Sequence, residues 1–566
     1  ILWIFTSDHD TRSYQIHKTE QGVTLTPNNL FKHDGKLLWA FAEDHLVYFI
    51  DDTYSLYEYN FNNQQEYYIA DLKTEIESRG EVSSIIKQQN DYYIGFKSSG
   101  LILLKYMADQ KVKYQMQSTE IHSGIFCLMK DKFQDIVWIG TDGQGVYMYF
   151  NDAFSITNTL LDTPAYQINN PIRALYCDEE QTLWIGTKGG GIVRINNYSP
   201  DKESLTSFNR ISAANSTLTD NAVYCFAKSH RNLLWIGDEE GLTYYSYREK
   251  RIKSIPIRIG NEDFKYIHDI YETADSELWL ASVGMGVVKA RIAGTPDNPV
   301  IVDAQRYIIN DGELGSNYFF TIYAENEANL LFGNKGYGVF RYNETTNGLE
   351  PVSTHKYENM TLNNILAISK DSSNNYLFGT SYGLIKYTSE TSYQLFNAKN
   401  GFLNNTIHAI LRNSSDDFWL STNLGLINFD TKRNVFRSYG FGDGLKVVEF
   451  SDGAAFRDSQ TGTLFFGGIN GVVAIRADGR PEQLYMPPVY FDKLSIFGEQ
   501  YNLGEFLTRK KETEVLNLQY DQNFFSVSFA SVDYLNGNNC TYFYKLKGLS
   551  DQWVNNGSES GVSFTN

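Results

Sequence analysis

One short run of apolar positions closed by a glycine recurs from end to end of this chain. Its clearest copies are Val137-Trp138-Ile139-Gly140, Leu183-Trp184-Ile185-Gly186 and Leu234-Trp235-Ile236-Gly237. Looser copies are Tyr92-Tyr93-Ile94-Gly95, Leu278-Trp279-Leu280-Ala281, Leu330-Leu331-Phe332-Gly333, Tyr376-Leu377-Phe378-Gly379, Phe418-Trp419-Leu420-Ser421 and Leu464-Phe465-Phe466-Gly467. Leu2-Trp3-Ile4-Phe5 and Leu38-Trp39-Ala40-Phe41 depart furthest from it. Successive copies lie 36 to 54 residues apart, most of them near 45. That period is the length of a four-stranded propeller blade.

Two further regularities fix the register. A second glycine follows four or five residues later, at Gly100, Gly145, Gly191, Gly241, Gly286, Gly338, Gly383, Gly425 and Gly471. Glycine there permits a positive φ in the turn between two antiparallel strands. An asparagine stands sixteen residues before the fourth position in five copies: Asn170, Asn221, Asn317, Asn363 and Asn405. Apolar residues follow it by two and five positions, as in Ile172 and Leu175. Each copy therefore reads as a turn, an inner strand, a polar turn, the Trp-Ile-Gly strand, a glycine turn and two outer strands. Residues that recur in every blade serve what every blade needs. The asparagines are assigned to turn geometry and the tryptophans to packing between blades.

Propellers close with four to eight blades, so eleven copies imply two rings. The seven copies from Gly186 to Gly467 make one complete ring, and the four before them belong to an incomplete one whose missing blades are expected upstream of Ile1. Past Gly471 the period stops. Met486-Pro487-Pro488 reads as a stiff linker. Beyond it, Phe524 to Phe529 and Tyr542 to Leu546 alternate like strands, separated by the turn signal Asn536-Gly537-Asn538. The expected fold class is all-β: part of an N-terminal propeller over 1–160, a seven-bladed propeller over 161–483, and an immunoglobulin-like sandwich over 484–566, cut short at its end.

Composition agrees with a β-rich reading, since aromatic residues make up 15% of the 566 residues. A net charge of −18 disfavours nucleic acid and anionic lipid as partners. No run is long and apolar enough for a membrane helix, and Ile1 to Ile4 reads as a strand rather than a leader, so the chain is taken as a fragment. Cys127, Cys177, Cys225 and Cys540 form no Cys-x-x-Cys pair. The first three fall in inner strands and are read as small core hydrophobes. The nine histidines lack ligand spacing, so neither a metal nor another cofactor is expected.

The run Leu183 to Ile192 resembles the two-component regulator propeller repeat, and Cys540 to Trp553 resembles the Tyr-Tyr-Tyr domain that follows such propellers. Blades followed by this domain are similar to the periplasmic sensor region of Bacteroidetes hybrid two-component systems. The resemblance implies a sensor that recognises an oligosaccharide and controls polysaccharide-utilisation genes. It also implies a homodimer in the periplasm, tied to the inner membrane by a helix downstream of this chain. Kinase activity would belong to the parent protein, so the chain itself is expected to be no enzyme.

Candidate binding residues are those that differ between blades in the loops of one propeller face. They are Arg173, Lys188, Asp238, Glu239, Lys265, Tyr266, Tyr318, Lys335, Tyr337, Tyr382 and Asn423. Aromatic faces suit sugar C–H patches, and Arg173, Lys188, Lys265 and Lys335 suit a uronate or sulfate. Two alternatives share the fold. A glycosidase or lyase would use carboxylates such as Asp238 and Glu239, and a protein-interaction scaffold would need no such chemistry.

Overall fold

The computed structural model describes residues 2–5, 11–19, 22–28, 33, 35–43, 45–107, 113–119, 121–150, 154–163, 167–199, 208–309, 317–352, 363–389, 391–402, 404–477, 487–510, 513–535, 540, 542–548, 552–557 and 559–565. Met486 and the Asn536-Gly537-Asn538 turn lie outside them. Strands dominate, and among the described residues the only α-helix is Lys73–Arg79. Contacts divide the chain into two compact units, one holding residues 1–152 and the other 153–481 together with 486–566.

The first unit contains four antiparallel sheets in chain order. The first joins Leu2–Phe5, Thr11–Thr19 and Gly22–Asn28, and two four-stranded sheets follow. The fourth joins Ile125–Lys130, Ile136–Thr141 and Val146–Phe150. Several side chains of this fourth sheet are exposed, Phe126, Met129 and Val146 among them. Cys127 is exposed with them, contrary to its reading as a core residue. Cys177 and Cys225, which sit between packed blades, are buried as expected.

The second unit contains a closed ring of seven four-stranded sheets. The inner strands are Ile172–Cys177, Val223–Lys228, Ile267–Glu272, Phe319–Asn326, Ile365–Lys370, Ile407–Arg412 and Phe450–Arg457. Each neighbours the next, and the last neighbours the first. The ring closes through Phe154–Leu160, whose seven residues pair antiparallel with Gly471–Ala477 and supply the fourth strand of blade seven. That strand, assigned from sequence to the N-terminal propeller, belongs to the second ring. Without it the outer edge of Gly471–Ala477 would stand unpaired, which is the physical reason for the pairing.

The repeat is legible as scaffold. Trp184 lies with Leu234, Ile236 and Tyr245 of the next blade, and Trp235 with Leu278, Leu280 and Val288 of the one after. Their indole N–H groups donate to buried carboxylates, Trp184 to Asp178 (2.9 Å) and Trp235 to Glu272 (2.7 Å). Gly186 has no room for a side chain: a Cβ would stand 2.7 Å from a Val223 methyl of the following blade. The second glycines from Gly100 to Gly425 take positive φ as expected. Gly471 does not, and its constraint is different, because a Cβ there would stand 2.4 Å from the Thr159 carbonyl oxygen of the closing strand. The recurring asparagines join blades through their backbone. The Asn221 carbonyl accepts from Gly189 and Gly191 N–H, and the Asn317 carbonyl from Gly284 and Gly286.

Residues 487–565 contribute a four-stranded antiparallel sheet built on Val489–Ile496 and Phe525–Ser531, plus two hairpins. Its small core holds Leu494, Ile496 and Val527.

Candidate functional site

Every inner strand of the seven-bladed ring shifts register just after its first residue. Pairing jumps from Ile172 to Ala174, Val223 to Cys225, Ile267 to Asp269, Phe319 to Thr321, Ile365 to Ala367, Ile407 to Ala409 and Phe450 to Ala455. A bulge of this kind leaves a residue out of the ladder and re-aims its side chain. The residues set free are Arg173, Tyr224, His268, Phe320, Leu366 and His408, and in blade seven a longer bulge that includes Asp452. They share one end of seven adjacent inner strands, so they gather at one mouth of the ring.

Side-chain contacts bear this out around most of the circle. His408 of blade six bonds through Nδ1 to Asp452 of blade seven, and Arg173 of blade one donates from Nη1 to the other Asp452 oxygen at 3.1 Å. Tyr224 and His268, from blades two and three, stack at 4.2 Å between ring centroids. Phe320 of blade four meets His268 edge-on at 5.6 Å. Apart from His408, which is buried, these residues are half-buried.

The electrostatics follow from these neighbours. Burial pushes the Asp452 carboxyl up, but the hydrogen bond and charge of His408 and the Arg173 guanidinium override it and hold it down at about 2. Burial, with Arg173 and Lys188 adding to it, lowers His268 to about 4, so its imidazole is neutral at neutral pH. Burial and then Glu239, which accepts the Tyr224 hydroxyl at 3.1 Å, raise Tyr224 to about 12. The mouth thus offers aromatic faces and a neutral imidazole beside a fixed ion pair.

The eleven sequence candidates divide. Arg173 is in the ring of bulged residues. Asn423 touches it through His408 Nε2 (2.6 Å), Glu239 through Tyr224, and Lys188 through its field at His268. Lys265 is drawn into an ion pair with Glu240, and Tyr266 is exposed at φ +56°. Lys335 is exposed, and Tyr318 is half-buried beside Gly284. Tyr337 and Tyr382 pack against apolar clusters between blades. Asp238 is a correction: it is fully buried, where Thr219 and the N–H groups of Glu240 and Gly241 hydrogen-bond it. A residue buried beneath its own turn cannot present a carboxylate to a substrate together with Glu239, so that pairing is lost as well.

Sequence reading missed Tyr224, His268, Phe320, Leu366, His408 and Asp452. A signal was present for four of them. Tyr224, Phe320, Leu366 and His408 each stand three residues after a recurring asparagine, the offset that also selects Arg173 from Asn170.

Residues 166–189, which include the first inner strand and its Trp-Ile-Gly strand, match the two-component regulator propeller family model. A protein named histidine kinase P4, from Formosa agariphila, is 23% identical over 402 residues, 68% of this chain but only 28% of that protein. The chain thus spans under a third of that relative. The extracellular domain of a hybrid two-component system from B. thetaiotaomicron shares the fold with a TM-score of 0.55 at 22% identity, over 99% of this chain and 78% of that one. A second such domain from the same organism is similar at 16% identity and a TM-score of 0.46, over 100% of this chain and 76% of that one. The chain therefore carries a two-component regulator propeller repeat on the fold of a hybrid two-component system's extracellular domain.

Proposed function

We propose that this chain is the ligand-sensing region of a hybrid two-component sensor, lying in the periplasm, and that it recognises an oligosaccharide at the mouth of the seven-bladed ring. The observation that carries this reading is the gathering of blade-specific side chains at one mouth, three aromatic rings in contact among them. Sugars are held by aromatic faces against their C–H patches and by polar groups fixed to a rigid frame. The repeat match and the sensor-like fold support the sensor class. In this reading the chain works as a homodimer, and the parent protein carries the inner-membrane anchor and the kinase that controls polysaccharide-utilisation genes. Ligand shifts the dimer between two arrangements only as far as its affinities for them differ.

Calorimetric titration of the intact chain with plant and host glycan fragments tests this reading. At least one oligosaccharide should bind, and Tyr224→Ala should weaken it about tenfold, the equivalent of losing ~1.4 kcal/mol of stacking. If no oligosaccharide binds, the reading fails.

A further inference from the structure

We infer that the ligand of this mouth carries a carboxylate or sulfate, with the anion seated at Arg173 and Lys188 and its sugar ring laid against Tyr224 and His268. This rests on the reading above and narrows it to a chemical class. Arg173 commits one nitrogen, Nη1, to Asp452. The side chain is half-buried, and beyond that bond its guanidinium has no acceptor among the described residues. A buried guanidinium N–H without an acceptor is costly, and natural structures keep few such groups without a reason.

The surrounding charge points the same way. Acidic residues outnumber basic ones by 67 to 49 in the chain, yet Lys188 and Lys335, both exposed on this end of the ring, have no ion-pair partner among the described residues. Lys188 and Arg173 both act on the His268 ring, which places the two cations within electrostatic reach of the stacked pair. Glu239, the carboxylate nearest Tyr224, is occupied by that residue's hydroxyl. Arginine with lysine beside an aromatic face is the arrangement that receives an acidic sugar: the guanidinium fork meets the planar carboxylate or the sulfate, and the ring face meets the pyranose.

The test titrates the intact chain with oligogalacturonides and chondroitin sulfate oligosaccharides, with carboxyl-reduced or desulfated forms of each, and with neutral xylo- and galacto-oligosaccharides. An acidic oligosaccharide should bind and lose about tenfold or more in affinity once its charge is removed. The two acidic arms distinguish uronate from sulfate. Arg173→Met and Lys188→Gln should each weaken the acidic form severalfold more than they weaken the uncharged form. Lys188 is exposed on a turn, so its variant tests the site even if Arg173→Met fails to fold. Neutral forms that bind as tightly as their acidic counterparts overturn the anionic class and leave the sensor reading standing. Acidic binding that neither variant weakens overturns the seat at Arg173 and Lys188. The failure of every oligosaccharide to bind removes both readings.

Discussion

Asp238 shows how far a residue's role can depart from its chemistry. In sequence, Asp238-Glu239-Glu240 is the densest carboxylate run in a blade turn, and it looks available to a ligand. In the structure burial dominates Asp238 and pushes its pKa up to about 6, although Thr219, Gly241 and Glu240 hydrogen-bond it. The folded state therefore holds a proton more tightly than the unfolded chain. The stability linked to Asp238 is complete below the unfolded value near 4 and is lost as pH rises through 6. A shift of two units corresponds to roughly 3 kcal/mol. Asp238→Asn keeps an acceptor for the two backbone N–H groups and removes the buried charge. Its unfolding temperature should exceed that of the unmodified protein at pH 8, and the two should converge by pH 4. An equal deficit at both pH values would show that Asp238 acts through packing, not titration.

At the scale of the element, the inner strand carries both the fold and the site on alternate principles. Its first residue seals the glycine of the preceding blade, as Val223 seals Gly186 and Ile172 seals Gly467. Its second residue is expelled by the bulge into the mouth. Gly186→Ala should therefore wedge blades one and two apart and cost about 1–3 kcal/mol, as overpacking does. Gly440→Ala is the control, because a Cβ there meets nothing within 4 Å. Thermal melts of the two variants should differ by several degrees; equal melting would mean the contact between blades yields freely. The same division explains what sequence could reveal. Trp184 and Gly186 recur because packing constrains them, so periodicity finds them. Arg173, Tyr224 and His408 vary because nothing in the scaffold constrains them, and only their fixed offset from Asn170, Asn221 and Asn405 marks them. His268 and Asp452 lack even that marker, since Lys265 and Val448 stand where the asparagine would be.

The whole ring depends on one contact that no local pattern can show. Phe154–Leu160 precedes the first blade and completes the last, and Asn158 donates to the Gly444 carbonyl (2.8 Å) across 286 positions of sequence. A period reveals what repeats, and a closing strand occurs once. Its effect is to tie blade seven to blade one through the chain itself, so that neither can open without exposing apolar surface. The six junctions between consecutive blades are made by segments close in sequence, whereas this one needs the longest loop to be closed. Ile156 of the closing strand packs, half-buried, against the cluster that includes Trp419, Phe466 and Val473. Ile156→Asp puts a charge into that seam and should release the strand. If closure holds the ring together, hydrogen exchange will quicken in all seven inner strands and the denaturant midpoint will fall for the ring as one transition. Exchange that quickens only in Gly471–Ala477 and its neighbours would mean that each blade is stable by itself. The first outcome also bears on the mouth, because Asp452 belongs to blade seven and Arg173 to blade one. Their ion pair spans the junction that Phe154–Leu160 latches, so loss of the latch should weaken the binding proposed at the mouth even though Ile156 lies outside it.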